Sequence, residues 1–187
     1  MTAVSDPLAL AREWIPAGPN PCLMTLATVD DGVPDARTLL LSDLDARGFH
    51  FHTDARSRKV AQLEANPHVA LVMFLEDAAR QLVVQGVARR MTPEEAAVAY
   101  GQRSAYLRRL AWVNTPEVAA LDLDERRSRW SAFGAAHGDD LAAPESWAGF
   151  VVEPTRLTFW SGAADAPSRR VEYTLSDERW RESVRAG

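Results

Sequence analysis

Residues 37–59 read RTLLLSDLDARGFHFHTDARSRK. Arg37-Thr-Leu-Leu-Leu-Ser42 is a strand-length apolar run that opens on a cation. Asp45-Ala-Arg-Gly48 is a turn signal, and Phe49-His-Phe-His-Thr53 reads as the next strand. Ser57 can cap a short helix in which Val60 and Leu63 share one face and which Asn66-Pro67 ends. If the strands of Arg37 and Thr53 are neighbours, Arg37 comes close to the N-terminus of that helix. Two guanidiniums (Arg37, Arg58), one ammonium (Lys59), hydroxyls and free backbone N–H groups then converge. That is an anion site, and a phosphate monoester is its natural guest. The alternative is a solvated basic helix start, although positive charge there opposes the helix dipole.

Outward from this stretch, the first half alternates strands and turns. Cys22–Val29 is a strand that ends at Asp30-Asp31-Gly32, a hairpin signal. Val69–Phe74 and Gln81–Val87 are further strands, and Gly86 within the second marks a bulge or a close backbone approach. The middle is helical. Thr92-Pro93-Glu94-Glu95 combines an N-cap, a proline at the first helical position and a capping-box Glu, so a helix is expected to about Gln102. A second helix is expected from about Pro116 to Ala136, followed by a small-residue loop over 135–144. The tail returns to strand at Trp147–Val152, Arg156–Trp160 and Arg170–Leu175. These short strands, most of them sequential, indicate an antiparallel barrel or sandwich with helices inserted late. Residues 1–187 are expected to form one domain, with 1–20 as an N-terminal extension.

Composition narrows the partners. The chain has 187 residues, 26 acidic against 21 basic, a net charge of −5 and 47% hydrophobic residues. Twenty of the 21 basic residues are Arg and the remaining one is Lys59. That acidic balance disfavours sequence-independent nucleic-acid binding, which depends on neutralising phosphates. No run approaches the ~20 apolar residues of a membrane span. With no signal-length apolar stretch at the start, a soluble cytoplasmic protein acting on a small molecule is expected.

Common catalytic devices are missing. There is no Gly-x-Ser-x-Gly elbow, and Cys22, the lone cysteine, excludes an intramolecular disulfide or a cysteine zinc site. His50 and His52 share a strand face without a signalled third ligand, so no metal site is expected.

Taken in order, Arg37–Ser42, Phe51-His-Thr53, Ser57-Arg58-Lys59, Asn66-Pro67, Arg80–Gly86, Ala111-Trp-Val113, Trp147–Phe150, Phe159-Trp160 and Arg170 resemble the pyridoxamine 5′-phosphate oxidase family. The resemblance implies a mainly β fold with α, the FMN-binding split β-barrel: an antiparallel Greek-key barrel with flanking helices. It implies FMN as cofactor, hydride transfer from a substrate carbon to flavin N5 and reoxidation by oxygen. It also implies a homodimer with FMN at the subunit interface and the segment 170–187 as a C-terminal strand and tail there. Carried over, Arg37, Arg58 and Lys59 bind the phosphate with Ser57. Thr38, Leu39, Leu40 and Leu41 line the ring with backbone groups. His52-Thr53 stands for the family's aromatic-Thr pair, Gln81 reaches the polar ring edge, and Trp160 and Arg170 come from the second subunit.

The substrate side departs from the pattern. Ser42 stands where the family has Lys, Ala99 where it has Tyr (with Tyr100 adjacent), and Leu107 where it has Ser. Arg103 is retained, while Ala166-Pro167-Ser168 replaces Arg-x-His. The substrate contacts implied are therefore Ser42, Tyr100, Arg103 and Ser168. Pro116-Glu117 replaces a Gln-Ser pair that contacts the flavin. Three readings stay open: oxidation of pyridoxine or pyridoxamine phosphate, oxidation of a larger aromatic substrate of the phenazine-biosynthesis type (those enzymes also tend to carry Ser at this place), or flavin binding without turnover. Haem or a deazaflavin is an alternative cofactor, and the Arg37/Arg58/Lys59 trio favours a phosphate-bearing flavin over haem.

Overall fold

The computed structural model describes residues 6–15, 22–75 and 79–187. Of the expected N-terminal extension, 1–5 and 16–20 lie outside the described residues. Elements in chain order are α1 (Pro7–Trp14), β1 (Leu23–Asp30), β2 (Val33–Leu40), β3 (Asp43–Leu44), β4 (Phe49–Asp54), α2 (Arg58–Ala65), β5 (His68–Leu75), β6 (Arg80–Arg90), α3 (Pro93–Gly101), α4 (Ala105–Val113), α5 (Pro116–Ala119), α6 (Leu123–His137), β7 (Trp147–Ser161), β8 (Arg169–Ser176) and β9 (Arg179–Ala186). The residues gather into two compact units. One holds the described residues of Met1–Phe51, Arg58–Arg90 and Phe150–Gly187; the other holds His52–Ser57 and Met91–Gly149.

Among the described residues the strands follow the order β2-β1-β5-β6-β7-β4-β3, with β8 on β7 and β9 on β8. The two ends of that path, β2 and β3, are separated in sequence only by Leu41 and Ser42. The sheet must therefore curl back on itself, and the Ser42 amide donates to the His50 carbonyl at 2.8 Å as it does so. Alternation drives the curl. Met24, Leu26, Leu71, Met73, Leu82 and Leu157 are at most 1% exposed, all pointing to one side of their strands. Each contributes about 1.5–3 kcal/mol by leaving water.

Local chemistry sets the joints. Asp31 and Gly32 both have positive φ (47° and 80°), which makes the two-residue turn between the paired residues Asp30 and Val33. Gly86 is at a bulge and also at a close approach. The β6–β7 register runs Gln85↔Arg156 and then Gly86↔Pro154, leaving Thr155 over, and a Cβ on Gly86 would strike the Glu153 carbonyl.

Several boundaries differ from the sequence reading. The two tail strands 147–152 and 156–160 are one strand, β7, because the bulge leaves Thr155 over and the pairing with β6 continues through Pro154. The expected 116–136 helix is broken at Ala120–Asp122, where the Asp122 carboxylate accepts from the Glu125 amide and starts α6 afresh. Helix α6 then runs to His137, into the stretch read as a loop, and stops at Gly138, which has φ 64°. Elements α1, β3, α4 and β9 were not read from the sequence.

Candidate functional site

In the first unit Arg37 and Arg58, two of the three expected cations, come together at Asp35, by a route other than the one expected, and Lys59 follows Arg58 in α2. Among the described residues strands β2 and β4 are not neighbours, and β2 pairs with β1 alone. Arg37 meets α2 across β1. Its Nη1 donates to Thr28 Oγ1 at 2.7 Å and its Nη2 to Gln62 Oε1 at 2.8 Å. Thr28 Oγ1 donates in turn to Gln62 Oε1 at 2.7 Å. Thr28 and Gln62 are 1% and 3% exposed, so this polar knot survives burial only because its members satisfy one another.

Asp35 completes the knot. Its Oδ2 accepts from Arg37 Nη2 at 2.7 Å, Arg58 Nη2 at 2.9 Å and Gln62 Nε2 at 3.0 Å. The Gln62 amide also donates to Asp30 at 3.4 Å. The Gln62 hydrogen bond, followed by the Arg37 and Arg58 charges, holds the Asp35 carboxyl below the usual carboxylate range against its partial burial. Sequence reasoning did not mark Asp35, Thr28 or Gln62. A threonine in the inward register of an otherwise apolar strand was the available signal.

The backbone of β2 adds donors. The Leu41 amide points to β1, donating to the Cys22 carbonyl at 2.9 Å, whereas the next amide, of Ser42, points the other way. By the two-residue period of a strand, Thr38 and Leu40 direct their N–H groups to the same side as Ser42. That is the edge of β2 on which no strand pairs among the described residues.

Gln81, Trp160 and Arg170 form a second group. Gln81 is directly opposite Trp160, and Trp160 directly opposite Arg170, so all three project from one face of β6, β7 and β8. Phe74, opposite Gln81 on β5, extends the row and is 57% exposed. Ser168 lies just before β8, and a Cβ on Gly187 would press on both Ser168 Oγ and Trp160 Nε1.

The second unit gathers His52, Tyr100 and Arg103 around a residue the sequence reading passed over as part of a motif, Trp147. The His52 ring is parallel to the indole at 5.2 Å between centroids, and the Arg103 guanidinium is 4.6 Å from the indole centroid. Tyr100 meets Trp147 edge-on at 5.3 Å, and Trp147 Nε1 donates to the Ala96 carbonyl at 2.9 Å. Tyr100 is 2% exposed and its hydroxyl donates to the Arg108 carbonyl at 3.1 Å, so it braces Trp147 from within the core. Burial works against the charge on Arg103. Thr53 Oγ1 and Ser57 Oγ lie 3.5 Å apart. Glu117 lies in the first turn of α5, where the Thr115 hydroxyl, the local backbone and the Arg56 charge keep its carboxyl low. Arg56 itself grips Asp54 through two nitrogens at 3.0 and 2.7 Å.

The family model described as Pyridoxamine 5′-phosphate oxidase matches residues 11–161. The chain belongs to the pyridoxamine 5′-phosphate oxidase family. A pyridoxine/pyridoxamine 5′-phosphate oxidase of Thermosynechococcus vestitus is 34% identical over 184 residues, covering 95% of this chain and 87% of the relative. One of Pseudomonas fluorescens is 35% identical over 189 residues with the same coverage, 95% and 87%. These relatives place the chain in an oxidase-type enzyme family. The fold is the family's split barrel. PhzG from Burkholderia lata 383 superposes with a TM-score of 0.87 at 22% identity, covering 100% of this chain and 95% of that one. An FMN-binding, pyridoxamine 5′-phosphate oxidase-related protein of Nostoc punctiforme gives 0.74 at 17% identity, with 88% of each chain covered. Among the described residues no three His, Cys, Asp or Glu side chains group as a metal site, and no helix is long and apolar enough to cross a membrane.

Proposed function

We propose that the protein is an FMN-dependent oxidase that acts as a homodimer, with Arg37, Arg58 and Lys59 holding the cofactor phosphate. The carrying observation is the knot at the start of α2, where Arg37 and Arg58 are drawn to one carboxylate oxygen. The donor set fits the group. Arg37 and Arg58 against Asp35 leave one positive charge, and Lys59, next after Arg58 in α2, brings the proposed set to two, which matches a phosphate monoester at neutral pH, with Asp30 further out. The Thr38 and Leu40 amides on the uncovered edge of β2 suit the polar edge of a flavin, as does Gln81. Leu39 and Leu41 supply backbone between them, and His52, Thr53 and Ser57 complete the set carried over from the family. When bound, FMN supplies the hydride acceptor. The protein's own part is to fix the phosphate, orient the ring by strand amides and keep water from the reacting face.

On the substrate side Ser42, Arg103 and Ser168 remain the proposed contacts, and Tyr100 enters as the brace of Trp147. Ser42 and Ala166 are both exposed and short where family members carry longer cationic side chains. Each lost charge-assisted bond is worth about 1.5–3 kcal/mol, which favours a substrate other than a small phosphorylated pyridine. A wider aromatic ring is the second reading.

Purified protein is expected to be yellow and to release FMN on denaturation. Protein that stays colourless with added FMN overturns the assignment. Anaerobic pyridoxine 5′-phosphate should bleach the flavin if the family's activity is retained. A flavin that only dithionite and an aromatic dihydro substrate reduce supports the second reading.

A further inference from the structure

The three donors on Asp35 Oδ2 have a meaning beyond packing. One carboxylate oxygen has room for about two ordinary hydrogen bonds, yet Arg37, Arg58 and Gln62 all converge on it, at 2.7, 2.9 and 3.0 Å. A tight cluster of cationic and amide donors around one oxygen is the arrangement that binds an oxyanion. Asp35 supplies that oxyanion from within the chain.

The two arginines depend on it unequally. Arg37 is 19% exposed and keeps Thr28 Oγ1, Gln62 Oε1 and the Leu26 carbonyl whether or not Asp35 carries charge. Arg58 is 76% exposed and leans in from the surface to Asp35. Arg37 is thus fixed by the fold, while Arg58 is drawn to Asp35 by charge.

We propose that Asp35 is a built-in counter-anion of the phosphate site, which competes with the bound phosphate for Arg58 and sets how tightly the cofactor is held. The proposal rests on the reading of Arg37, Arg58 and Lys59 as phosphate ligands. A fixed negative charge within a few ångströms of a dianion weakens its binding, and removing that charge strengthens it. This gives the opposite sign to a purely structural role, in which loss of Asp35 loosens Arg37 and weakens binding.

The test is flavin affinity, read by quenching of flavin fluorescence in wild type, Asp35→Asn and Asp35→Ser. FMN and riboflavin serve as probes, with inorganic phosphate as competitor. Asn keeps an acceptor for Arg37 without the charge, and Ser is the second variant should Asn fail to fold. The expected result is FMN bound about tenfold tighter by either variant, riboflavin affinity unchanged, and phosphate a stronger competitor. Wild type that binds FMN, with variants that bind it equally or less well, overturns the counter-anion role alone. A parallel gain for riboflavin also overturns it, since the effect then does not pass through the phosphate. Wild type that binds neither FMN nor inorganic phosphate overturns the phosphate site and this proposal together.

Discussion

The imidazole of His52 lies flat against the indole of Trp147, with centroids 5.2 Å apart and planes 5° apart. Gly149 makes room for it. A Cβ at 149 would come 2.9 Å from His52 Cδ2 and 2.5 Å from Met91 Sδ. Met91 is flexible and can retreat; His52 is backed by Trp147 and cannot. Gly149→Ala should therefore cost about 1–3 kcal/mol of stability, the range for overpacking. The same cost should persist in a Met91→Ala background. Urea midpoints of the two pairs check this, and full relief by Met91→Ala would show that His52 is not the obstacle.

Trp147 itself does two separable jobs. Its N–H bonds the Ala96 carbonyl at 2.9 Å, and its face carries His52 and Arg103. Trp147→Phe keeps a ring for stacking and should lose about 0.5–1.5 kcal/mol with the hydrogen bond. Trp147→Leu loses the aromatic contacts too, a further ~1–2 kcal/mol. Equal losses in the two variants, measured by denaturant unfolding, would remove the platform role.

Acid should release the turn before β4. Burial pushes the Asp45 carboxyl up, but hydrogen bonds from His50 Nε2 and from Arg47 outweigh it and hold the group at about 2 against an ordinary 3.8. A lowered carboxyl stabilises the fold above the ordinary value and loses that contribution as pH falls through the lowered one. Asp45 is 37% exposed, so solvent screening reduces the contribution to on the order of 1 kcal/mol. Asp45→Asn should be less stable than wild type by that amount at pH 7, with the gap closing between pH 4 and pH 2. A gap that stays constant over this range would assign the loss to packing.

Much of this was legible because the signals were local. The Asp31-Gly32 turn, the Thr92 capping box and the Gly86 bulge each announce themselves within four residues, and each is where the sequence put it. Strand β9 was missed for the converse reason. Its hairpin turns at Asp177-Glu178, both at positive φ (52° and 59°), with no glycine or Asp-Gly pair to mark it. Of the candidate site, the cations were visible as residue types. The knot that holds them was not, because Thr28, Asp35, Arg37 and Gln62 meet only through the pairing of β1 with β2 and the packing of α2. The expected adjacency of the Arg37 and Thr53 strands failed on the same long-range fact.

The row Gln81–Trp160–Arg170 permits a test of the shared site that needs no substrate. The proposed dimer assigns Arg58 and Lys59 to the cofactor of their own subunit, and Trp160 and Arg170 to the cofactor of the other. Arg58→Ala/Lys59→Ala should then lose FMN, and so should Trp160→Ala/Arg170→Ala, each as a homodimer with two defective sites. In a mixed dimer both defects fall on one site and leave the other whole. Unfolding and refolding the two variants together at equal amounts should make half the dimers mixed, which restores about a quarter of the wild-type FMN sites. Binding that stays absent after mixing, with dimers confirmed by sedimentation, would place all four residues on one site within a single chain. A monomer that binds FMN would remove the partner's contribution altogether.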